Sequence, residues 1–149
     1  MDTAKFDVVC LGILVADVVV SGVEALPEPG AISSVSGMSL NLGGCAANTA
    51  TCLARLGFKV AVAGMVGDDH LGHFILDSLS AENVSVEGVR ISKDIPTGSA
   101  VACVYPGGER GFWSLLGCNG ALKDGDVDAA LTSSCRALHV AGTPYLKGF

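Results

Sequence analysis

Apolar strand-like runs alternate with helical patterns along this 149-residue chain, and that alternation is the strongest constraint on its fold. The predicted elements are strands at 6–13, 59–64 and 137–140, a helix at 46–56 that ends at Gly57, and a helix that begins at Asp68 or Asp69 and ends at Asn83. Strands that alternate with helices are typical of a parallel sheet covered by helices. The sequence therefore predicts an α/β fold.

Two further pairs of strands do not fit that sheet, because their polar and apolar residues alternate. One pair is predicted at 31–36 and 38–42, separated by Gly37, and the other at 99–105 and 111–116, joined by the turn sequence PGGER. Such alternation indicates strands with one exposed face. We expect a small separate β layer, a lid, that the chain visits twice. A short helix is predicted at 126–131.

Charge and hydropathy exclude several classes of partner. The net charge is −6, and no cluster of Lys or Arg offers a surface for a phosphate backbone, so nucleic acid is not an expected partner. The longest apolar stretch, 8–16, is far shorter than the ~20 residues of a membrane-spanning helix. No export signal precedes it, so we expect a cytoplasmic protein whose six cysteines are buried free thiols.

A glycine pair before the first helix is the most informative motif. Gly43 and Gly44 allow a positive φ and let backbone N–H groups approach a ligand, and Asn48 offers an amide one turn later. An ordinary strand-to-helix turn would also explain a glycine pair.

The full spacing around this pair resembles the first signature of the ribokinase-like (pfkB-type) carbohydrate kinases. The matching positions are Gly43, Gly44, Ala46, Asn48, Ala50, Gly57 and Gly67. The segments FDVVCLGILVAD, GDDHLGHFILDSL and PTGSAVACVYPGGERGFWSLLGCNGAL resemble the first strand, second helix and lid hairpin of the family, in the same order. The resemblance covers essentially the whole chain but only about half of a family member, so it implies a truncated ribokinase-like domain.

The resemblance assigns sugar contacts to particular residues. It implies that Asp17, just past the first strand, binds sugar hydroxyls, that Gly43 and Gly44 present amides, and that Asn48 and Asn119 hold further hydroxyls. A solvated carboxylate at a strand end is the alternative for Asp17. Ribokinases proper carry Asn where this chain has Val15, Lys where it has Cys45 and usually Ala where it has Cys118, so another sugar or a sugar acid is as plausible a substrate as ribose.

Three residues of the lid hairpin have two interpretations. Phe112 or Trp113 could close over a sugar ring and Arg110 could meet a carboxylate or phosphate, or the aromatics could simply pack on the sheet. His70 and His73, beside Asp68 and Asp69, are interpreted as a capped and solvated first helical turn, and no metal site is predicted.

The family's phosphoryl-transfer motif is missing from these residues. Members place a carboxylate base at a Gly-Ala-Gly-Asp helix start, and the nearest string here, Lys123-Asp124-Gly125-Asp126, reads as a helix cap. ATP and Mg²⁺ are implied for a full-length member, whereas their binding residues are absent here. We expect the sugar-binding half of an ATP-dependent carbohydrate kinase, inactive alone. The alternatives are a non-catalytic sugar-binding module or a lid-mediated homodimer, and, less favoured, a dinucleotide-binding domain, which lacks its glycine-rich turn.

Overall fold

The computed structural model describes residues 4–149, which form two four-stranded sheets, three α-helices and short 3₁₀ turns. The strands are β1 (Phe6–Gly12), β2 (Val15–Ser21), β3 (Gly37–Gly43), β4 (Val60–Gly67), β5 (Ser85–Ser92), β6 (Ser99–Val104), β7 (Arg110–Leu115) and β8 (Cys135–Ala141). The helices are α1 (Cys45–Arg55), α2 (His70–Ala81) and α3 (Ala129–Ser133). The 3₁₀ turns are Gly117–Ala121, Asp124–Asp126 and Thr143–Tyr145.

The central sheet is parallel, as predicted, with strand order β5-β4-β1-β8. Its middle strands alternate their side chains between two apolar cores. Cys10 faces a core built with α1 and α2, whereas Val9 and Leu11 face a second core closed by the turns and by α3. Strand β5 was not predicted, because SVEGVRIS mixes charges and a glycine into its alternation.

The second sheet is the lid, with strand order β3-β2-β6-β7. The predicted hairpin is confirmed as β6 and β7, but the other predicted pair is wrong in one member. Residues 31–36 form no strand, and β3 pairs instead with β2. Asp17 therefore lies inside a lid strand rather than past the end of β1. The sequence does not predict β2 as a separate strand, because the run 15–20 follows β1 almost directly. Gly12, the last residue of β1, is the turn signal at this junction.

The ends of α1 and α2 lie where the sequence predicts them. Gly57 has φ of 90° and its N–H donates to Ala54 O, while Phe58 N–H donates to Leu53 O, which is a Schellman ending. Asn83, with φ of 60°, ends α2 in the left-handed conformation that Asn tolerates. Both helices pack their apolar faces on the central sheet.

Two smaller predictions need correction. The helix predicted at 126–131 is instead a 3₁₀ turn followed by α3, which Asp128 caps through Ala130 N–H at 2.8 Å. All six cysteines are free thiols, but only Cys10, Cys103 and Cys118 are buried. Cys135 is half-buried, and Cys45 and Cys52 are exposed because they lie on the solvent side of α1. Within residues 4–149, no helix is both long and apolar enough to cross a membrane.

Candidate functional site

Asp17 is the central residue of the candidate site, and the lid holds it in the middle of β2. Its backbone pairs with Asn41 on one side and Ala100 on the other. The side chain is half-buried, and that burial raises the pKa of the Asp17 carboxyl above its ordinary value of 3.8. A partly desolvated carboxylate interacts more strongly with a hydroxyl donor than a fully hydrated one does.

The glycine pair allows the Asp17 carboxylate to lie against the start of α1. A Cβ built at Gly43 would lie 2.1 Å from Asp17 Oδ2, so a side chain at Gly43 would displace the carboxylate. Gly44 has φ of 91°, and a Cβ there would lie 2.4 Å from the Ile13 carbonyl oxygen. Gly44 therefore needs glycine both for space and for its backbone conformation, whereas Gly43 needs it only as long as the Asp17 carboxylate keeps this position.

The N-terminus of α1 is open. Gly44 is its N-cap, and no side chain among residues 4–149 caps it. The first intrahelical hydrogen bond is donated by Asn48 N–H to Gly44 O, so the N–H groups of Cys45, Ala46 and Ala47 precede it. These unsatisfied N–H donors lie beside the Asp17 carboxylate, which is an acceptor. A polyol matches this pattern, because each of its hydroxyl groups can both donate and accept.

Asn48 lies one turn into α1 and is exposed. It borders a cleft of about 420 Å³ between α1, α2 and β3, which Asn41, the cross-strand partner of Asp17, also borders. The remaining residues that line this cleft are Leu42, Thr51, Cys52, Arg55, Ser78 and Glu82. Asn41, a residue that the motif comparison does not point to, thus pairs with Asp17 across the strands and borders the same cleft as Asn48.

Asn119 has a different environment from the one its predicted role needs. It is fully buried, with its Oδ1 accepting from Leu14 N–H at 2.9 Å and its Nδ2 donating to Leu14 O at 2.8 Å and Leu116 O at 3.0 Å. These bonds use both amide hydrogens. Asn119 therefore ties the β1–β2 crossing to the end of β7, and we remove it from the set of sugar contacts.

The three hairpin residues lie on different faces of the lid. The β-sheet register places Phe112 and Arg110 on the same face as Asp17, and Trp113 on the opposite face. Arg110, the first residue of β7, lies four residues before Ser114, which is level with Asp17, and this is a distance of roughly 13 Å. Only Phe112 is therefore positioned to cover a small molecule held by Asp17.

A second polar cluster lies at the base of the lid, at the start of α2. Asp69 accepts from Gly72 N–H at 2.8 Å, from Thr97 N–H at 2.8 Å and from the Thr97 hydroxyl at 2.7 Å. The Thr97 hydroxyl in turn accepts from Gly67 N–H at 2.8 Å. Burial acts to raise the pKa of Asp69, but the hydrogen bonds from Thr97 and Gly72 outweigh it and hold the pKa below 3.8. Thr97 escaped the sequence interpretation because its partners lie far away in sequence.

The predicted helix cap at Asp69 is thereby confirmed. Asp68 is exposed, and its Oδ1 lies 3.8 Å from His73 Nε2. Both partners of that pair are more than half exposed, so it belongs to a solvated first turn.

The string at 123–126 does not form a nucleotide-binding helix start. It is a 3₁₀ turn in which Asp126 Oδ2 accepts from Lys123 N–H at 3.0 Å. The Asp126 carbonyl accepts from Arg90 Nε at 2.8 Å. The carboxylate and the backbone of this turn are thus engaged within the chain, which confirms the interpretation as a cap.

Comparison with known proteins agrees with this geometry. The family model for the pfkB family carbohydrate kinases matches residues 5–148. Fructokinase-2 from Solanum lycopersicum is 35% identical over 107 residues, which are 70% of this chain and 30% of that protein. A 2-dehydro-3-deoxygluconokinase from Bacillus subtilis (strain 168) is 46% identical over 72 residues, covering 48% of this chain and 22% of that protein.

Solved structures give the same result. Arabidopsis thaliana ribokinase, complexed with ribose and ATP, is 30% identical with a TM-score of 0.68 over 76% of this chain and 37% of its own. The fructokinase of Halothermothrix orenii is 26% identical with a TM-score of 0.74 over 90% of this chain and 45% of its own. The chain therefore spans less than half the length of these proteins.

Proposed function

Since this chain belongs to the pfkB family of carbohydrate kinases, we propose that it supplies the sugar-binding half of an ATP-dependent kinase that phosphorylates a sugar or sugar-acid hydroxyl. The observation that carries the proposal is the contact between the Asp17 carboxylate and Gly43, directly before the open N-terminus of α1. An acceptor and several donors meet there, and no residue within 4–149 satisfies the donors.

In this proposal, each group has a separate task. Asp17 accepts hydrogen bonds from sugar hydroxyls, the first amides of α1 donate to sugar oxygens, and Asn48 contacts a hydroxyl from the far side of the glycine pair. Phe112 covers the ring and limits the access of water. Several convergent polar contacts discriminate strongly against an analogue that lacks a hydroxyl, because the unmatched protein group remains desolvated and unpaired.

The residues that the structure describes do not fit a nucleotide phosphate site. A phosphate site of this family needs a glycine-rich helix start with free amides. The start of α1 has such amides but lies against the Asp17 carboxylate, which would repel a phosphate, and the turn at 123–126 is closed by its own Asp126. We therefore place no phosphoryl-transfer step on these residues. ATP binding is proposed for the family domain outside the part that this chain covers, in line with the ATP complex of the ribokinase from Arabidopsis thaliana.

Isothermal titration calorimetry of the chain with fructose, ribose and 2-dehydro-3-deoxygluconate tests the proposal. We expect saturable binding of at least one sugar, and loss of that binding in Asp17→Asn, which keeps the size of the side chain but removes its charge. Asp77→Asn, an exposed carboxylate on α2, is the matched control and should bind as the unmodified chain does. Unchanged binding by Asp17→Asn would refute the proposal.

A second candidate function rests on the lid face opposite Asp17. Four large apolar side chains are exposed there, namely Met38, Leu40, Trp113 and Leu115. An exposed apolar patch of this kind is typical of an interaction surface, and a two-fold pairing would bury it against itself. A lid-mediated homodimer is therefore the alternative role, and it is compatible with sugar binding.

Sedimentation equilibrium distinguishes this role from a monomer. Leu115→Lys should shift a dimer to monomer, because it places a charge within the apolar face. Ile32→Lys is the control, since Ile32 is exposed in the loop at 22–36, away from the lid strands. An unmodified chain that remains monomeric at high concentration would eliminate the alternative.

A further inference from the structure

A single row of side chains crosses all four strands of the lid at the level of Asp17. The register aligns Asn41 with Asp17, Asp17 with Ala100, and Ala100 with Ser114. Residues that are directly paired across a sheet point to the same face. Three polar side chains therefore lie in line on the face that carries the candidate sugar site, and Ala100 lies between two of them.

The spacing of this row suits a small ring. Neighbouring strands lie about 4.8 Å apart, so Asn41 flanks Asp17 directly while Ser114 lies roughly 10 Å away across the small side chain of Ala100. Ala100 is buried, whereas Asn41 and Ser114 are exposed. The small, apolar side chain of Ala100 therefore lies between the carboxylate of Asp17 and the hydroxyl of Ser114, and leaves space above it.

Each end of the row borders a cleft. Asn41 borders the cleft that Asn48 also lines, which joins it to the signature helix. Ser114 borders a cleft of about 380 Å³ between the lid and the end of the chain, together with Val15 and Tyr145. Both side chains are therefore positioned at open space rather than inside a packed layer.

Asn41 is oriented by its own strand. Its Nδ2 donates to Ser39 Oγ at 2.9 Å, and more weakly to the Ser39 carbonyl at 3.3 Å. The amide is therefore oriented along β3 rather than swinging freely. Since Nδ2 already donates to Ser39, the group left for a ligand is Asn41 Oδ1, an acceptor one strand away from the acceptor oxygens of Asp17, and two neighbouring sugar hydroxyls could donate to this pair.

We propose that Asn41 and Ser114 are specificity-determining residues which, in one row with Asp17, bind the hydroxyls of an uncharged sugar. This inference rests on the proposed sugar-binding function and extends it to the substrate class.

The row contains one negative charge and no positive charge. Arg110, the cation that the described lid strands place on this face, lies roughly 13 Å from the row, at the start of β7. Arg55 borders the cleft at the Asn41 end of the row, but it is paired with Glu82. The carboxylate of a sugar acid would therefore meet Asp17 without a compensating cation from the lid strands.

The test is a set of calorimetric titrations of the chain with fructose, its monodeoxy analogues and 2-dehydro-3-deoxygluconate. Asn41→Ala and Ser114→Ala should each weaken fructose binding roughly threefold to tenfold, the range for one lost neutral hydrogen bond. Each loss should vanish with one particular deoxyfructose, and a different one for each variant. Ser99→Ala is the matched control, because Ser99 lies on the opposite face of the lid. Asn41→Thr repeats the first test with a residue that favours strands, should the alanine variant fold poorly.

The outcomes separate this inference from the proposed function. Suppose that Asp17→Asn abolishes fructose binding, whereas Asn41→Ala and Ser114→Ala bind fructose and every deoxy analogue as tightly as Ser99→Ala does. The role of Asn41 and Ser114 is then refuted, and the proposed sugar site is retained. Tighter binding of 2-dehydro-3-deoxygluconate than of fructose overturns the uncharged substrate class. If the unmodified chain binds none of fructose, ribose and 2-dehydro-3-deoxygluconate, the proposed function fails, and this inference fails with it.

Discussion

Helices α1 and α2 both pack on the central sheet, but their N-termini are capped in opposite ways. At α2, Asp69 accepts hydrogen bonds from Gly72 and Thr97, and the buried Thr97 hydroxyl continues the network to Gly67. At α1, Gly44 is the N-cap and no described side chain satisfies the first turn. Both helices follow a strand of similar length and pack on the same core, so the difference is local.

This difference separates support from function. We call the first region the closed base, comprising Asp69, Thr97 and Asn119, and the second the open site, comprising Asp17, Gly43, Gly44 and the first turn of α1. The closed base satisfies its polar groups within the chain and fixes where the lid strands leave the core. The open site leaves donors and one half-buried carboxylate for a ligand. Substitutions in the closed base should therefore lower stability, and those in the open site should lower affinity.

The largest effect should come from a matched pair of asparagines. Asn119→Ala leaves the Leu14 and Leu116 backbone groups unpaired in the core, and should lower the free energy of unfolding by about 3 kcal/mol. Asn48→Ala, at an exposed position, should change it by less than about 0.5 kcal/mol while weakening sugar binding. Urea denaturation and calorimetry measure the two quantities. Similar stability losses in both variants would break the comparison.

Gly43→Ala should weaken sugar binding about tenfold or more, because the new Cβ would overlap the Asp17 carboxylate and force it away. The side chain of Asp17 can rotate, so the fold should survive with a smaller loss of stability. Gly125→Ala is the control, since a Cβ there meets no atom within 4 Å. Affinity equal to that of the control would show that the carboxylate position is unimportant.

Asp69→Ala removes a helix cap together with two bonds to Thr97, and should cost about 1 to 2 kcal/mol of unfolding free energy. Sugar affinity of the folded fraction should stay unchanged. Asp77→Ala, on the same helix but exposed, should be nearly neutral. A large loss of affinity in Asp69→Ala would mean that the closed base takes part in binding directly.

The smallest effects concern the pH dependence of stability, to which Asp17 and Asp69 should contribute in opposite directions. The pKa of Asp17 is raised above 3.8 by burial, so its stability contribution is full below pH 3.8 and is lost as the pH rises through the folded pKa. The pKa of Asp69 is lowered below 3.8, so its contribution is present above pH 3.8 and is lost as the pH falls through the folded pKa.

Denaturation curves across the acid range, compared with Asp17→Asn and Asp69→Asn, measure these two contributions. Relative to the unmodified chain, Asp17→Asn should gain stability as the pH rises, whereas Asp69→Asn should lose it. Differences of the same sign in both variants would contradict the assignment of the two carboxylates.

Local signals predicted the elements whose causes are local. The α1 ending at Gly57, the cap at Asp69 and the PGGER hairpin each depend on a few neighbouring residues, and each was predicted. Strand β2 was not predicted. The chain leaves the central sheet at Leu14, and the N–H of Leu14 donates to Asn119, which is 105 positions away in sequence. The same distance explains the misassigned role of Asn119. A buried structural amide and a sugar-binding amide look alike in sequence, and only packing separates them.

The central claim is that the open site binds the sugar and the closed base does not. A ¹H–¹⁵N correlation spectrum recorded during titration with fructose tests it amide by amide. The account predicts saturable shifts at Cys45, Ala46 and Ala47 that disappear in Asp17→Asn, with Gly72 and Thr97 unmoved. Shifts confined to Gly72 and Thr97, or first-turn shifts that persist in Asp17→Asn, would contradict it.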